Sequence, residues 1–301
     1  MSLAFSLEDY LQERREGVER ALERAVAELE SRVPEPVLVA VRHGVLSGGK
    51  RLRPIFCVAA YEACGGTLSR SLFDLAASLE LIHAYSLMHD DLPCMDDADL
   101  RRGRPSTHAA MGEDVTMVAG ALLIPAAARR AREAGLELEL TGAEASEVAG
   151  VLMRAAGAGG MVGGQWLDLE GEGRLLTEIE LDELHRHKTG ALLVASLQMG
   201  ALAAGADAMA FESLTRYGSA VGLAFQVADD ILDATSDAET LGKEPSDAVL
   251  DKSTYVTLHG LEEARVRARA LVDDAKQALE EGGTYAPALQ ALADFVVGRE
   301  R

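Results

Sequence analysis

The sequence predicts an all-α fold in one domain. Aromatic residues make up only 4% of the chain, while Ala and Leu dominate a hydrophobic content of 48%. That composition favours packed helices over sheets. Apolar residues recur at helical spacing, and no run of alternating polarity is long enough for a sheet. No repeat, low-complexity linker or composition shift divides the chain, so we expect a single domain over residues 1–301.

Helices are predicted in order along the first third of the chain, separated by glycine and proline. Leu7–Leu29 has apolar residues at three- and four-residue spacing with charges between them. Paired glycines end helices, whereas Pro54 can occupy the first turn of one. We expect helices at about residues 7–29, 37–46, 54–65 and 69–89, followed by a loop over 92–107 that contains Pro93, Gly103 and Pro105.

The remaining helices are predicted at about residues 115–133, 144–157, 177–186, 190–204, 208–232, 262–279 and 286–299. Gly157–Gly164 is rich in glycine, but it does not spell a dinucleotide fingerprint and no strand precedes it. The longest uncharged runs are Val115–Ala128 and Ala191–Ala206. Both are shorter than the roughly 18–20 residues that span a bilayer, so we predict that they are buried core helices.

Charge and cysteine content limit the classes of partner and location. The formal net charge is −20, and binding to a phosphate backbone needs a cationic face, so nucleic acid is not expected as a partner. Three cysteines, an odd number, show no zinc-ligand spacing, which fits a reduced, cytoplasmic protein. Glu8 and Asp9 interrupt the N-terminal apolar stretch, as a signal peptide would not allow.

Two aspartate clusters each follow a long apolar stretch. The first is Asp90-Asp91-Leu92-Pro93-Cys94-Met95-Asp96 and the second is Asp229-Asp230-Ile231-Leu232-Asp233. Carboxylates this close repel one another, and a bound cation is the simplest way to hold them. All-oxygen ligand sets select hard ions such as Mg²⁺, which also binds substrate phosphates. With Lys and Arg nearby, the clusters indicate a metal–diphosphate site.

The two clusters differ in their expected geometry. Asp229 and Asp233 are four residues apart and would share one helix face, whereas Asp230 would point elsewhere. Their apolar surroundings favour a site over an exposed acidic face. In the first cluster, Pro93 prevents simple continuation of the helix, and the loop can fold Asp96 back toward Asp90.

Basic residues lie close to these clusters. Arg101-Arg102-Gly103-Arg104 could bind the phosphate that the metal holds. Gly44 to Lys50 nearly has P-loop spacing, but Arg51 stands where a P-loop has Ser or Thr, so we reject a nucleotide-hydrolysing loop. Lys50, Arg51 and Arg53 nevertheless predict a second phosphate site.

Further candidates for phosphate binding are Lys188 and Thr189, which precede an apolar helix, and Lys243 and Lys252, which follow the second cluster. His83 and His89 lie six residues apart on one predicted helix and would point in different directions, so a shared metal is not expected. One of them could donate to a phosphate. The pair His89-Asp90 leaves a metal phosphohydrolase as an alternative.

Together these motifs resemble the trans-isoprenyl diphosphate synthases, especially the bacterial farnesyl diphosphate synthases. The resemblance runs nearly end to end. It is carried by Gly48–Pro54, Leu81–Pro93 (LIHAYSLMHDDLP), Asp96–Pro105, Gly160–Leu169 (GMVGGQWLDL), His185–Leu192 (HRHKTGAL), Gly222–Asp233 (GLAFQVADDILD) and Lys252–Tyr255.

The resemblance implies a helical bundle around a central cavity, a homodimer and Mg²⁺ as cofactor, with three ions when substrate is bound. It implies metal binding by the two clusters: Asp90, Asp91, Asp96, Asp229, Asp230 and Asp233. The allylic substrate and catalysis would fall to Arg101, Lys188, Thr189, Gln226 and Lys243. Isopentenyl diphosphate would be held by Lys50, Arg53, His83 and Arg102.

The implied reaction joins isopentenyl diphosphate head-to-tail to dimethylallyl or geranyl diphosphate, giving farnesyl diphosphate. Tyr85 and Ser86 stand before Asp90 on the path of the growing chain and are the expected chain-length residues. Geranyl or geranylgeranyl diphosphate is the alternative product. A catalytically inactive regulatory subunit is a further alternative, but such a subunit should have lost aspartates and all six are present.

Replacing Tyr85 tests the chain-length expectation. Tyr85→Ala removes a ring from the path of the product tail, so we expect longer products, measured by chromatography of the dephosphorylated alcohols. Tyr85→Phe keeps the ring and should leave product length unchanged. The same product spectrum for Tyr85→Ala and the unmodified enzyme would show that another side chain sets the limit.

Overall fold

The computed structural model describes residues 5–235 and 253–298, and these are almost entirely helical. The predicted all-α fold is confirmed. Two compact units are distinguished: an N-terminal unit of Ser6–Met153 with Met199–Gly205, and a C-terminal unit that includes Arg154–Gln198 and the described residues from Ala206 onward. The single domain over residues 1–301 stays a prediction.

The N-terminal unit is built around one buried helix. Its helices are α1 (Leu7–Ala27), α2 (Glu35–Val45), α3 (Leu52–Ala63), α4 (Arg70–Asp90), α5 (Thr107–Met111), α6 (Glu113–Glu137) and most of α7 (Gly142–Ala156). Helix α4 packs against α1, α2, α3 and α6. It is buried on nearly every side, which explains why most of its residues are apolar. Ser69 caps it by accepting from the Leu72 N–H at 3.1 Å.

The C-terminal unit is organised around a second long helix. It contains α8 (Met161–Gly171), α9 (Glu178–His185), a π-helical turn (Arg186–Gly190), α10 (Ala191–Ala203, whose last turn belongs to the N-terminal unit), α11 (Ala208–Thr235), α12 (Tyr255–His259), α13 (Leu261–Glu281) and α14 (Pro287–Gly298). Helix α11 packs against α13, α14 and the π-turn. A core around it is formed by Leu181, Leu184, Leu223, Val227, Tyr255, Ala264 and Ala268.

The long helices lie close to their predicted positions, and the short elements were not predicted. Helices α5, α8 and α12 and the π-turn are additional. The predicted loop over 92–107 contains a two-stranded antiparallel ribbon, Leu100–Arg101 (β1) with Arg104–Pro105 (β2). Arg102 and Gly103 turn the ribbon with φ angles of 53° and 74°, a left-handed conformation that glycine favours.

The two uncharged runs differ in burial. Leu192, Leu193 and Leu197 on α10 are buried as predicted. On α6 the prediction was wrong in part, because Met117 and Val118 are 51% and 52% exposed while the opposite face packs inward. Among the described residues, no helix is both long and apolar enough to cross a membrane.

Gly200 permits a close approach between α10 and α3 in the N-terminal unit. A Cβ at this position would lie 2.2 Å from the Cys57 carbonyl oxygen and 2.9 Å from the Tyr61 nitrogen. Both are backbone atoms, so the helices would have to separate. Gly142, at the start of α7, has no atom within 4 Å of such a Cβ. The two glycines therefore form a matched pair for substitution.

We expect Gly200→Ala to lower the free energy of unfolding by about 1–3 kcal/mol, the usual cost of overpacking. Gly142→Ala should be neutral or stabilise by up to about 1 kcal/mol, because alanine loses less backbone entropy in a helix. Urea unfolding followed by circular dichroism measures both. Equal midpoints for Gly200→Ala and the unmodified protein would contradict the packing described.

Candidate active site

The first acidic cluster forms where α4 ends. Asp90 is the last residue of the helix, and the Asp96 N–H donates to the Asp90 carbonyl oxygen at 2.9 Å. The Ala98 N–H donates to the Asp91 carbonyl at 3.1 Å. These bonds curl the loop back over the helix end, as predicted from Pro93. Asp90 is partly buried and Asp96 is exposed.

Asp91 is buried and paired with Arg101. The carboxylate is 2% exposed, and the Arg101 Nε donates to its two oxygens at 2.7 and 2.9 Å. Burial opposes the charge of Arg101, but the hydrogen bonds and charge of Asp91 outweigh it and raise the pKa of Arg101. Asp91 therefore fixes Arg101 beside the cluster, which leaves Asp90 and Asp96 as the members better placed to bind a metal.

A second set of cationic side chains lies in the N-terminal unit, around His83 and the loop that contains Gly48. The Arg53 Nη1 lies 3.3 Å from the His83 Nε2, and Arg102 donates to the Gly48 carbonyl of the loop that also carries the exposed Lys50. Burial, followed by the charges of Arg53 and Arg102, lowers the pKa of His83 well below its usual value. His83 therefore lies among cationic side chains, a setting that suits an anionic phosphate.

Arg51 is a buried structural residue, contrary to the prediction from the sequence. It was expected to bind phosphate with its neighbours, but it is 3% exposed and forms ion pairs inside the unit. Its guanidinium donates to Glu80 at 2.7 Å, Glu19 at 2.8 Å and the Val45 carbonyl at 2.9 Å. A buried arginine paired in this way anchors the loop rather than binding a ligand.

His89 also has a structural partner. Its Nε2 lies 3.1 Å from the Met117 carbonyl on α6, and a Cβ on Gly120 would lie only 2.4 Å from the same ring nitrogen. This position weakens the phosphohydrolase alternative based on His89-Asp90. Tyr85 contacts the His89 ring edge-on with centroids 4.9 Å apart. Burial and then the charge of Asp90 raise the pKa of Tyr85.

Ser86, the other expected chain-length residue, donates its hydroxyl to the His83 carbonyl at 2.9 Å within α4. A serine that bonds its own helix in this way contributes little polarity to the surrounding space. The chain-length roles of Tyr85 and Ser86 stay predictions.

Two members of the second acidic cluster, Asp230 and Asp233, line a cavity of about 210 Å³ in the C-terminal unit. This is many times the about 10–15 Å³ that one water needs, so there is room for a polyatomic group. Four elements supply most of its polar lining. Asp168 comes from α8, Lys188 and His185 from the π-turn and the end of α9, and Gln226, Asp230 and Asp233 from α11.

Glycines let these elements meet. A Cβ on Gly164 would lie 2.1 Å from the Lys188 nitrogen, so α8 touches the backbone of the π-turn there. A Cβ on Gly222 would lie 3.0 Å from the Gly190 Cα, where α11 crosses the same turn. The glycine-rich segment that spelled no dinucleotide fingerprint thus has a packing role. π-turns of this kind are frequent at functional sites.

Lys188 is held by Asp168, a residue that the sequence analysis did not single out. The Lys188 Nζ and the Asp168 Oδ2 are 2.5 Å apart, and both side chains are partly buried. The signal in the sequence was a carboxylate between Trp166-Leu167 and Leu169. Thr189, next in the turn, is 9% exposed.

The carboxylates of α11 depart from the predicted arrangement. Asp230 was expected to point away from Asp233, yet both line the cavity, because residues three apart also share a helix face. Asp229 accepts from the Gln226 Nε2 at 3.3 Å. Burial raises the pKa of Asp233 and raises that of Asp230 to about 7, although the Tyr255 N–H donates to Asp230 at 2.8 Å. Lys243 and Lys252 lie outside the described residues.

The oxygen donors of both clusters fit a hard cation. Within residues 5–235 and 253–298, no three carboxylate, imidazole or thiol groups lie close enough to hold an ion by themselves. Mg²⁺ usually takes only one or two carboxylates and completes its shell with water and substrate phosphates. Asp230 and Asp233 offer such a pair in the C-terminal unit, as Asp90 and Asp96 do in the N-terminal unit.

Comparison with known proteins agrees with this geometry. The profile of the family described as Polyprenyl synthetase matches residues 35–290. The chain belongs to the polyprenyl synthetase family. The prediction of a prenyltransferase of this kind is thereby confirmed.

Individual relatives match over nearly their whole length. The farnesyl diphosphate synthase of Escherichia coli (strain K12) is 45% identical over 94% of this chain and 95% of its own. A dimethylallyltranstransferase of Fischerella ambigua is 42% identical over 98% of this chain and 84% of its own. The crystal structure of a geranyltransferase from Legionella pneumophila superposes with a TM-score of 0.85 at 32% identity, covering 98% of this chain and 97% of that one.

The raised pKa of Asp230 predicts a pH-dependent stability in metal-free protein. The folded state holds the proton up to about pH 7, against an ordinary value of 3.8, so ionisation of Asp230 destabilises the fold as pH rises between these values. Asp230→Asn cannot ionise. We expect the variant to gain about 1–3 kcal/mol over the unmodified protein between pH 4 and pH 8, after allowance for solvent contact.

Urea unfolding in EDTA across this pH range measures the difference. Asp273→Asn, an exposed site on α13, is the control and should show no pH-dependent gain. A constant difference between Asp230→Asn and the unmodified protein at all pH values would show that the Asp230 carboxylate is not desolvated.

Proposed function

We propose that this protein is a Mg²⁺-dependent short-chain isoprenyl diphosphate synthase that joins isopentenyl diphosphate to an allylic diphosphate, with farnesyl diphosphate as the main product. The observation that carries the proposal is the C-terminal cavity, whose lining includes two partly desolvated carboxylates of α11 and Lys188 of the π-turn. A cation and a diphosphate are the ligands that this combination suits.

The chemistry needs no side-chain base. The carbon–oxygen bond of the allylic diphosphate breaks, and its electron pair leaves with the diphosphate. The double bond of isopentenyl diphosphate then forms a new carbon–carbon bond to the allylic carbon. A proton is lost from the adjacent carbon to form the product double bond, and the released diphosphate accepts it. The product is five carbons longer and carries the diphosphate of isopentenyl diphosphate.

The residues of this chain bind and orient the two substrates. Lys188 and Arg101, each fixed by a carboxylate, would bind the departing diphosphate. The Gln226 amide and Thr189 hydroxyl would stabilise the allylic cation by their dipoles. Lys50, Arg53, Arg102 and neutral His83 would bind isopentenyl diphosphate. Lys243, which lies outside the described residues, would also bind the allylic substrate. Mg²⁺, held by Asp90, Asp96, Asp229, Asp230 and Asp233, would neutralise charge on the leaving group.

Relatives support farnesyl diphosphate as product without excluding a longer one. The E. coli relative is a farnesyl diphosphate synthase, while a chloroplastic relative from Capsicum annuum, 40% identical, is a geranylgeranyl pyrophosphate synthase. Tyr85, partly buried beneath Asp90, supports the shorter product. We also propose a homodimer that covers the exposed Met117 and Val118 of α6. The free thiols Cys57, Cys64 and Cys94 support a cytoplasmic location.

Purified protein with Mg²⁺, isopentenyl diphosphate and either dimethylallyl or geranyl diphosphate should release diphosphate and form a product of fifteen carbons, identified by chromatography. Diphosphate release should depend on both substrates. Hydrolysis of a simple phosphate ester with no chain elongation would overturn the proposal in favour of the phosphohydrolase. If neither chain elongation nor phosphate-ester hydrolysis occurs, the result would favour the catalytically inactive regulatory subunit.

We expect Asp90→Ala and Asp229→Ala each to lower turnover by several orders of magnitude, because each would remove a metal ligand next to the leaving group. Helical circular dichroism should stay unchanged. Asp273→Ala, at an exposed position of α13, controls for loss of a surface charge and should keep full turnover. Near-normal turnover of either cluster variant would refute the role given to that aspartate.

A further inference from the structure

Tyr255 connects the second acidic cluster to the interior of the C-terminal unit. The side chain is fully buried, and its ring stacks on His185 with centroids 5.7 Å apart. Its backbone N–H donates to the Asp230 Oδ2 at 2.8 Å. Its hydroxyl donates to Asp182 on α9. One residue thus contacts a cavity carboxylate through its backbone and a deeper carboxylate through its side chain.

Asp182 is held firmly in turn. The Arg267 Nη2 lies 3.1 and 3.0 Å from its two oxygens, and the Arg186 Nη2 lies 3.0 Å from Oδ2. Arg267 also pairs with Glu178 at 2.9 Å and lies over the Tyr255 ring at 5.2 Å. Burial and the bond to Asp182 raise the pKa of Tyr255, so its hydroxyl remains a donor throughout the physiological range.

The Asp230 bond needs this support because α12, which begins at Tyr255, is only five residues long. A helix this short has little stability of its own. Its first N–H stays at a fixed distance from α11 only if tertiary contacts hold the residue. Among the described contacts of the Tyr255 side chain, the hydroxyl bond to Asp182 is the directional one, whereas stacking on His185 allows the ring to slide.

We propose that Tyr255 and Asp182 are positioning residues that set the orientation of the Asp230 carboxylate for metal–diphosphate binding. The inference rests on the proposed function, because it takes Asp230 as a metal ligand. It assigns a role to a buried tyrosine and a buried aspartate that belong to neither acidic cluster and are not among the residues lining the cavity.

Tyr255→Phe removes only the hydroxyl and keeps the ring and the backbone N–H. Tyr217→Phe is the matched control: this tyrosine is equally buried in the same unit, and its hydroxyl donates to the Leu289 carbonyl at 2.6 Å. Tyr217 lies on α11, far along the helix from Asp230. Both variants lose one buried hydrogen bond, so both should lose stability to urea by a similar amount.

Binding of inorganic diphosphate, measured by titration calorimetry at several fixed Mg²⁺ concentrations, separates the two roles. For Tyr255→Phe we expect the Mg²⁺ concentration that gives half-maximal diphosphate binding to rise about tenfold, the lower end of the loss usual for an outer-shell partner of a metal ligand. Tyr217→Phe should bind like the unmodified protein. In turnover assays, Tyr255→Phe should recover most of its activity at high Mg²⁺.

A purely structural role for Tyr255 would give the same Mg²⁺ dependence in both variants, and that result would overturn the inference. If Tyr255→Phe does not fold, Asp182→Asn, which keeps an acceptor for the hydroxyl but weakens the arginine bonds, should show a smaller shift in the same direction. An unchanged Mg²⁺ dependence of diphosphate binding in Asp182→Asn would also contradict the inference. Failure of the unmodified protein to bind diphosphate with Mg²⁺ would instead refute the proposed function.

Discussion

The cost of desolvating a carboxylate next to an apolar helix governs both units of this protein. Each acidic cluster lies where a largely buried helix meets a cavity or a loop, so its oxygens lose water that they must replace with other partners. Asp91 is paired with the guanidinium of Arg101, and Asp168 is paired with the ammonium of Lys188. Among the described residues, the Tyr255 backbone N–H donates to Asp230, and burial raises the pKa of this carboxyl to about 7. A bound cation would stabilise a carboxylate most where the fewest other groups replace its lost water.

Pairing with carboxylates also distinguishes the arginine that anchors a loop, Arg51, from the one placed to bind a ligand, Arg53. Arg51 and Arg53 are two positions apart, yet Arg51 turns inward to Glu19 and Glu80 while Arg53 lies beside His83. The left-handed backbone of Arg51, with φ of 52°, reverses the direction of the chain between the exposed Lys50 and the start of α3. A buried ion pair therefore holds the loop that carries the outward-facing cations.

Glycine has a comparable role in the C-terminal unit. The π-turn that carries Lys188 and Thr189 is contacted on one side by α8 at Gly164 and on another by α11 at Gly222. Side chains at these positions would push apart the elements that line the cavity. Helices can be brought within backbone contact of one another only where Cβ atoms are missing, and this contact places Asp168 within reach of Lys188.

The sequence by itself determined the all-α class, the long helices and the family, because helical periodicity and contiguous motifs are local properties of the chain. It also predicted the return of Asp96 toward Asp90, since Pro93 restricts that loop. Only the tertiary structure decided which charges pair with each other: Arg51 with Glu80, Lys188 with Asp168, and Tyr255 with Asp182 and Asp230. These partners lie 20 or more residues apart in the sequence. Their contact depends on how helices pack, and no local pattern records that.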